Sequence, residues 1–176
     1  MSVLLVGANP GLALHTASGE LVAFASVWLV DWSTHGPGRA LVLWGAGKTR
    51  VVTEQPELGR WLAEAFTRHF PEVDGVPWPA PEVTVAPVRV ELDPATGVRA
   101  EADDVLLEIT EPLDRRRSDV AAFPGNGLRL TNVYVPCRRG VLRIAGRPVD
   151  GVPRVSEGAR PSSSAFLADA EVWSAG

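Results

Sequence analysis

The chain has 176 residues, of which 45% are hydrophobic and 22% charged, and its formal net charge is −4. This length and apolar content predict a single folded domain over residues 1–176 and exclude disorder as the dominant state. The 17 glycines and 15 prolines follow no fixed period, which excludes a collagen-like chain and favours a turn-rich, β-rich fold.

The first strong signal along the chain is a strand at residues 20–32. Alternate positions are apolar on both faces, with Phe24 and Trp28 on one face and Val27 and Leu29 on the other. A strand buried on both sides lies in the centre of a layered sheet, or in a barrel wall whose outside is covered by a helix or by another subunit. We therefore expect a covered strand here, and its two apolar faces predict a homo-oligomer.

A hairpin and a helix follow this strand. Residues 39–45 and 48–54 read as two strands joined by the short turn Ala46-Gly47. Apolar residues then recur at helical spacing, with Pro56 suited to the first turn. We predict one packed α-helix at about residues 56–70.

The second half of the chain reads as strands again. The predicted strands cover residues 82–92, 98–110, 127–135, 141–144 and 165–173. The apolar side changes phase at Ala86-Pro87 and at Asp103-Asp104, which indicates β-bulges or strong bends. Such bends are common where a sheet curls, so the predicted fold is α+β, a mainly antiparallel β-barrel with one packed α-helix.

Three connections are candidate lids or binding loops because long irregular segments in a compact domain are often functional. They are residues 36–38 with their flanks, residues 112–127 and residues 147–164.

Composition also excludes several functions. The negative net charge and scattered arginines oppose a nucleic-acid partner. Cys137 is the single cysteine, which excludes an internal disulfide, and with the three histidines it does not form a usual zinc site unless carboxylates or a second subunit contribute. The N-terminal segment has no basic region, and no apolar stretch approaches the roughly 20 residues that span a bilayer. We expect a cytoplasmic protein without metal and without a membrane partner.

A phosphate site is one alternative that the residues leave open. The run GAGKT at residues 45–49 departs from a phosphate-binding loop because Val42 stands where that motif needs glycine. Lys48, Thr49 and Arg50 are nevertheless placed to hold the phosphate of a flavin in a split barrel. A flavin-binding oxidoreductase therefore remains an alternative function.

A few polar residues are candidates for acid–base chemistry or hydrogen bonding. His35 follows the first long strand and could act as a general acid or donor. Asp31 interrupts an apolar face, and it either points inward, where burial would perturb its pKa, or opens a turn. Asp103-Asp104 is either a metal pair or a bulge with solvated carboxylates.

The aromatic residues are the least ordinary feature of the chain, which has six tryptophans. Placed on the predicted strands and helix, several of them converge, with Asn132 and Tyr134 as neighbouring polar groups. They form either a packed core or the wall of a cavity for an apolar ligand. The predicted substrate-binding residues are Phe24, Trp28, Trp32, Trp44, Trp61 and Phe66.

The chain has one helix, VVTEQPELGRWLAEAFTRHFPE, among barrel strands, and a hairpin, NGLRLTNVYVPCRRGVLRIAGR. This layout resembles the small cofactor-free cyclases of actinomycete polyketide pathways, including those that catalyse [4+2] and [6+4] cycloadditions. The resemblance implies a large apolar polyene as the partner and no cofactor. It also implies catalysis by folding the substrate into a reactive shape. Tyr134, Asn132 and His35 would then polarise a substrate carbonyl. A lipocalin-like carrier that leaves its ligand unchanged is a further alternative.

Overall fold

The computed structural model describes residues 2–120 and 127–174. Most of these residues lie in β-strands and one segment is α-helical, so the mainly β, α+β prediction is confirmed at this level. The described strands are β1 (Ser2–Ala8), β2 (Gly11–His15), β3 (Leu21–Ser33), β4 (Gly38–Gly45), β5 (Lys48–Thr53), β6 (Glu82–Val85), β7 (Val88–Asp93), β8 (Gly97–Ala102), β9 (Val105–Pro112), β10 (Arg116–Val120), β11 (Leu128–Ile144), β12 (Arg147–Pro148), β13 (Val155–Ser156), β14 (Ser162–Ser163) and β15 (Ala165–Ser174). The helix is α1 (Pro56–Ala65), and the 3-10 turns are Thr67–His69 and Pro71–Val73.

Thirteen of the described strands form one large sheet, while β13 pairs with β14 separately. The sheet runs in the order β6-β5-β4-β3-β1-β15-β11-β9-β8-β7, with β2 beside β3 and β15, and with β10 and β12 beside β11. The pairs among these described strands are antiparallel except β5 with β6, which is parallel. Strands β6 and β7 follow each other in the chain but lie at opposite ends of this path.

Strand β3 is buried on both faces, as its sequence predicts. On one face, here called the inner face, Ala25 and Val27 join a core of small aliphatic side chains from both halves of the sheet. On the other, the outer face, Phe24 and Trp28 pack under α1. The helix therefore covers the outer face of β3, which the sequence alone could have assigned to a second subunit. The burial of β3 gives no separate reason to expect an oligomer.

The hairpin of β4 and β5 is confirmed in register. Gly45 pairs with Lys48, so the turn contains only Ala46 and Gly47, with φ values of 51° and 71°. Two positive φ values in a two-residue turn match the right-handed twist of the flanking strands. Glycine at the second position makes this conformation accessible.

The helix is shorter than predicted. It begins at Pro56 and ends at Ala65, and its buried residues Leu58 and Leu62 pack on the outer face of the sheet. The backbone then tightens into the turn Thr67–His69, so the apolar periodicity continues past the α-helix itself. Apolar spacing alone does not separate an α-helix from the 3-10 turns that often follow it.

Both predicted phase changes have a different cause from the one expected. At Ala86-Pro87 the chain leaves β6 and enters β7 at the other end of the sheet. At Asp103-Asp104 it makes a two-residue turn between β8 and β9, with Asp103 at φ 53°. A tight turn and a bulge both reverse the side-chain alternation, so the sequence pattern cannot separate them.

Two predicted strands, residues 127–135 and 141–144, are parts of one 17-residue strand, β11. Its first half pairs with β15 and β10, and its second half pairs with β9. Arg138 and Arg139 are consecutive and both exposed, so the regular alternation of buried and exposed side chains along β11 is interrupted at this point. The predicted strand at residues 165–173 is confirmed as β15.

The predicted loops differ from expectation. The connection around residues 36–38 is short, with only residues 34–37 between β3 and β4, and the segment 112–127 contains β10, with residues 121–126 outside the described residues. The segment 147–164 contains three two-residue strands and is otherwise irregular. Among the described residues, no helix is long and apolar enough to cross a membrane.

The segment after β12 is attached to β2 through His15. The His15 amide donates to the Val152 carbonyl at 2.8 Å, and the Val152 amide donates to the His15 carbonyl at 2.9 Å. The His15 Nδ1 atom is buried and has no hydrogen-bond partner among the described residues. Burial, followed by the nearby Arg154 guanidinium, lowers the pKa of His15 below its ordinary value of 6.5.

This arrangement predicts a loss of stability in mild acid. The folded state binds a proton at His15 less readily than the unfolded state does. The stability that the neutral His15 side chain contributes to the folded state is therefore fully present above pH 6.5, and it is lost as the pH falls toward the folded-state pKa. Urea unfolding from pH 7.5 to 5 should show a smaller decline for His15→Gln than for the parent chain. An equal decline in both proteins would contradict the assignment.

Candidate functional site

A cleft with a volume of about 640 Å³ lies against the inner face of the sheet. Its size falls within the range of ligand pockets. Strands β1, β3, β7, β10, β11 and β15 contribute the lining residues Val6, Gly7, Ala8, Leu29, Asp31, Leu92, Arg117, Thr131, Asn132, Val133, Asp169, Ala170 and Glu171.

Strand alternation places these side chains at the end of the core. Leu167 of β15 and Val135 of β11 belong to the inner core and pair with each other. Two residues further along β15 comes Asp169, and it pairs with Val133 of β11. Because alternate residues of a strand share a face, Val133, Asp169 and Glu171 continue the inner face beyond the packed core. The cleft is therefore the unfilled continuation of that core.

The chemistry of the cleft is mixed. Half-buried aliphatic side chains, including Leu29, Leu92 and Val133, form an apolar floor. Asp31 and Arg117 are exposed at the rim. No group of three or more metal-binding side chains occurs in the described parts of the chain. The cleft can hold an apolar body and offer hydrogen bonds at its edge.

The predicted aromatic residues lie mainly in another place, between the outer face of the sheet and the helix. The ring centroid of Trp28 is 5.8 Å from that of Phe66 and 6.0 Å from that of Phe70, which in turn lies 6.2 Å from Phe24. Phe24 and Phe66 are 0% exposed and Trp28 is 1% exposed. These side chains form a packed layer and present no accessible surface to a ligand.

Trp61 and His35 lie at one edge of that layer. Trp61 is partly buried on α1 and packs edge-on against Phe66, with centroids 4.9 Å apart. His35 is exposed and stacks on Trp61 at 4.2 Å, while its Nδ1 lies 3.2 Å from Thr34 Oγ1. Trp32 is 49% exposed. The position of His35 is thus set by the helix and not by the cleft.

Tyr134 is held by the segment before β15. Its hydroxyl donates to the Ser163 carbonyl at 2.7 Å and accepts from the Ser163 amide at 2.9 Å. The Arg116 guanidinium carbon lies 5.0 Å from the centre of its ring. Burial raises the pKa of Tyr134 above its ordinary value, which keeps the hydroxyl protonated. The hydroxyl proton is already engaged by Ser163, so this residue anchors a loop in the present structure.

Asn132 and Asp31 are the two predicted residues found at the cleft, but Asn132 alternates with Val133 and shares the face of Leu130, so its side chain is directed to the opposite side of the sheet. The Asn132 Oδ1 atom is buried without a hydrogen-bond partner in residues 2–120 and 127–174. Asp31 lies within β3 and does not open a turn. His35 contacts Trp61 and Thr34, and Tyr134 contacts Ser163 and Arg116. The three predicted catalytic side chains, Tyr134, Asn132 and His35, are therefore not assembled into one group.

The alternative flavin-phosphate residues are arranged for other contacts. Arg50 Nη2 lies 2.7 Å from Asp104 Oδ1 and 3.4 Å from Asp103 Oδ2. Thr49 is 3% exposed, and Lys48 is exposed at the hairpin turn. Because two carboxylates already pair with Arg50 and Thr49 is buried, only Lys48 of this trio offers a positive charge to a phosphate. The structure also assigns Asp103 and Asp104 to this ionic contact and not to a metal pair.

Cys137 is an interior side chain. It is 0% exposed in the inner core, and burial raises the pKa of its thiol to about 11. A thiol with this pKa is almost fully protonated at neutral pH and is a poor nucleophile. It serves as a small apolar residue of the core.

Sequence reasoning missed two parts of the site. The strand carrying Val6 and Ala8 was not predicted, although these residues line the cleft. Asp169 and Glu171 were also missed, and their signal was the replacement of apolar residues by acids along one face of β15 after Leu167. Outside the cleft, Glu72 is a further half-buried carboxyl whose pKa is raised by burial.

Comparisons of the chain with family models, with curated proteins and with solved structures yield no match.

Proposed function

We propose that this chain is a cofactor-independent cyclase that binds a large, mostly apolar polyene in the cleft and promotes its intramolecular cycloaddition. The observation that carries the proposal is the cleft itself, an unfilled space of about 640 Å³ with an aliphatic floor and a polar rim. A ligand pocket is expected to be largely apolar with a few oriented polar groups. The layout of one helix on a curled sheet supports the same function through its resemblance to the small polyketide cyclases.

The cleft needs a closed wall, and we propose that the sheet curls into a barrel. Two contacts between its opposite ends support this shape. Arg50 reaches the β8–β9 turn, and Arg39 Nη1 donates to the Val88 carbonyl at 3.4 Å. The inner core also combines side chains of β4 and β5 with those of β7 and β8.

In this proposal the protein acts mainly by holding the substrate in a reactive conformation. An intramolecular cycloaddition converts π bonds into two new σ bonds, and the substrate and the product have the same composition. The walls of the cleft would bring the reacting carbons together and reduce the entropic barrier. Arg117, which pairs with Val133 and shares its face, would donate a hydrogen bond to a substrate carbonyl and stabilise the transition state. The substrate would thus contact aliphatic side chains of the cleft, and not the aromatic side chains that the sequence predicted as its binding wall.

The test is to fill the cleft. Val133→Trp places an indole on the cleft floor, and Val85→Trp is the matched control because Val85 is 67% exposed and does not line the cleft. Each protein is incubated with a linear polyene that carries an activated alkene. Cyclisation is followed by loss of diene absorbance and by chromatography of a product of unchanged mass.

We expect the parent chain and Val85→Trp to accelerate cyclisation equally, and Val133→Trp to lose at least about tenfold of the rate because the reactive conformer no longer fits. Equal rates in all three proteins, with both variants folded, would show that the cleft is not the site. Binding of the polyene without any product would instead support the carrier alternative. A purified protein with flavin absorbance would favour the oxidoreductase.

A further inference from the structure

Trp32 lies just beyond a β-bulge near the end of β3. If β3 were regular, Trp32 would share the outer face with Trp28, since their positions have the same parity. The pairing of β3 with β1 shifts between Val6 and Gly7, which leaves Asp31 as an extra residue without a partner on β1. One extra residue reverses the alternation of the side chains beyond it, so Trp32 turns to the inner face.

The strand partners of Trp32 support this placement. Trp32 pairs with Val6 of β1, and Val6 pairs on its other side with Glu171 of β15. Directly paired residues of neighbouring strands share a face of the sheet. Val6 and Glu171 both line the cleft. Trp32 therefore stands at the end of the cleft, in one row with two of its lining residues.

The Trp32 indole has no packing partner of the kind that the other indoles have. Its side chain is 49% exposed, and in the described part of the chain it forms neither a hydrogen bond nor a contact with another ring. By contrast, Trp28 Nε1 donates a hydrogen bond, and Trp61 packs edge-on against Phe66. An exposed indole beside a cleft is surface that a ligand can cover.

The cleft also carries an excess of negative charge. Its described lining includes three carboxylates, Asp31, Asp169 and Glu171, and one basic side chain, Arg117. Within residues 2–120 and 127–174, none of the three carboxylates forms an ion pair. A cationic group therefore gains more electrostatic free energy on entering this cleft than an anionic group does.

We propose that the cleft selects apolar ligands that end in an ammonium group, and that Trp32 is the residue that recognises this group. The inference rests on the proposed function, because it assigns one end of the substrate that the same cleft would bind. The apolar body would lie on the aliphatic floor, and the ammonium would lie over the face of the Trp32 indole. An indole attracts a cation within about 6 Å of its ring centre, and the carboxylates of the cleft would supply the counter-charge.

The geometry favours an organic cation over a metal ion. No three metal-binding side chains of the described ranges are grouped closely enough to hold a metal ion. The spacing of neighbouring strands, about 4.8 Å, separates the backbone of Trp32 from that of Glu171 by about 10 Å across the face. An ammonium group on an apolar chain can occupy this gap and contact both side chains.

The test compares three soluble probes with the same eight-carbon chain, octyltrimethylammonium, octanoate and octanol. In isothermal titration calorimetry at low salt, the parent chain should bind octyltrimethylammonium about tenfold more tightly than octanoate, with octanol between them. Raising the NaCl concentration from about 50 mM to about 500 mM should weaken binding of the ammonium probe and leave that of octanol unchanged.

Two sets of variants separate the indole from the carboxylates. Trp32→Leu keeps an apolar side chain but removes the aromatic face, and Trp32→Phe is its conservative control. The double variant Asp169→Asn/Glu171→Gln removes two charges from the cleft. Its matched control, Glu54→Gln/Asp150→Asn, removes two charges from exposed acids that do not line the cleft. Circular dichroism confirms that each variant is folded before it is titrated.

We expect the preference for the ammonium probe to disappear in Trp32→Leu and in the cleft double variant, and to remain in both controls. A preference that survives in Trp32→Leu, or equal binding of all three probes to the parent chain, overturns the inference. If Val133→Trp then blocks that binding, the cleft still holds an apolar ligand and the cyclase proposal stands. If Val133→Trp changes the binding of no probe, both the inference and the cleft as the substrate site are contradicted.

Discussion

Gly7→Val is expected to prevent stable folding. Gly7 lies on β1 at a register shift opposite β3, and a Cβ built there would lie 2.1 Å from the Leu29 carbonyl oxygen. The obstructing atoms are backbone, which cannot move aside as a flexible side chain does. We expect a loss of about 4 kcal/mol or more, comparable with the total stability of many domains. Circular dichroism during urea unfolding measures the effect.

Gly45→Ala is the matched control for this substitution. Gly45 is also a strand glycine in the same sheet, but a Cβ added to it would meet the Ala23 Cβ at 3.6 Å, which is an ordinary contact. Its change should alter stability by less than about 1 kcal/mol. If the two substitutions change the free energy of unfolding by similar amounts, the close packing of β1 against β3 at Gly7 is contradicted.

Phe66→Ala should cost the second largest amount of stability, about 3–5 kcal/mol, because it empties a fully buried ring site. The ring is 0% exposed and contacts both Trp28 and Trp61. Tryptophan fluorescence should shift to longer wavelength as the neighbouring indoles gain water. Under conditions where the variant remains folded, its binding of a polyene should equal that of the parent chain, because the residue does not line the cleft.

Trp32→Ala is the control, since Trp32 is 49% exposed and removing it leaves no internal cavity. Its effect on stability should stay within about 0.5 kcal/mol. A folded Phe66→Ala protein that no longer binds the polyene would contradict the assignment of this residue to the packed layer and would restore the aromatic pocket.

The local features of the fold were predictable because local rules determine them. Ala46-Gly47 specifies a tight turn, and the period of apolar residues after Pro56 specifies a helix. The two-sided burial of β3 was also readable, since no exposed strand keeps both faces apolar. What the pattern could not decide was which face receives the aromatic side chains, because alternation separates the two faces without saying which is enclosed.

The site was harder to predict because it is assembled from distant strands. The cleft combines Val6, Leu29 and Glu171, which come from the beginning, the first quarter and the end of the chain. No spacing rule connects such residues before the strand order is known. The orphaned oxygen of Asn132 and the ring contacts of His35 likewise depend on packing and not on local sequence.

The strand order β3-β1-β15-β11 also constrains when this protein can fold. Ser2 pairs with Ser174, so one of the central ladders joins residues 172 positions apart. During synthesis β1 therefore emerges long before its partner and must wait with one edge unpaired. Folding that depends on such long-range pairing is slow. A chaperone that shields this edge should raise the yield of native protein more than one that acts only after release from the ribosome.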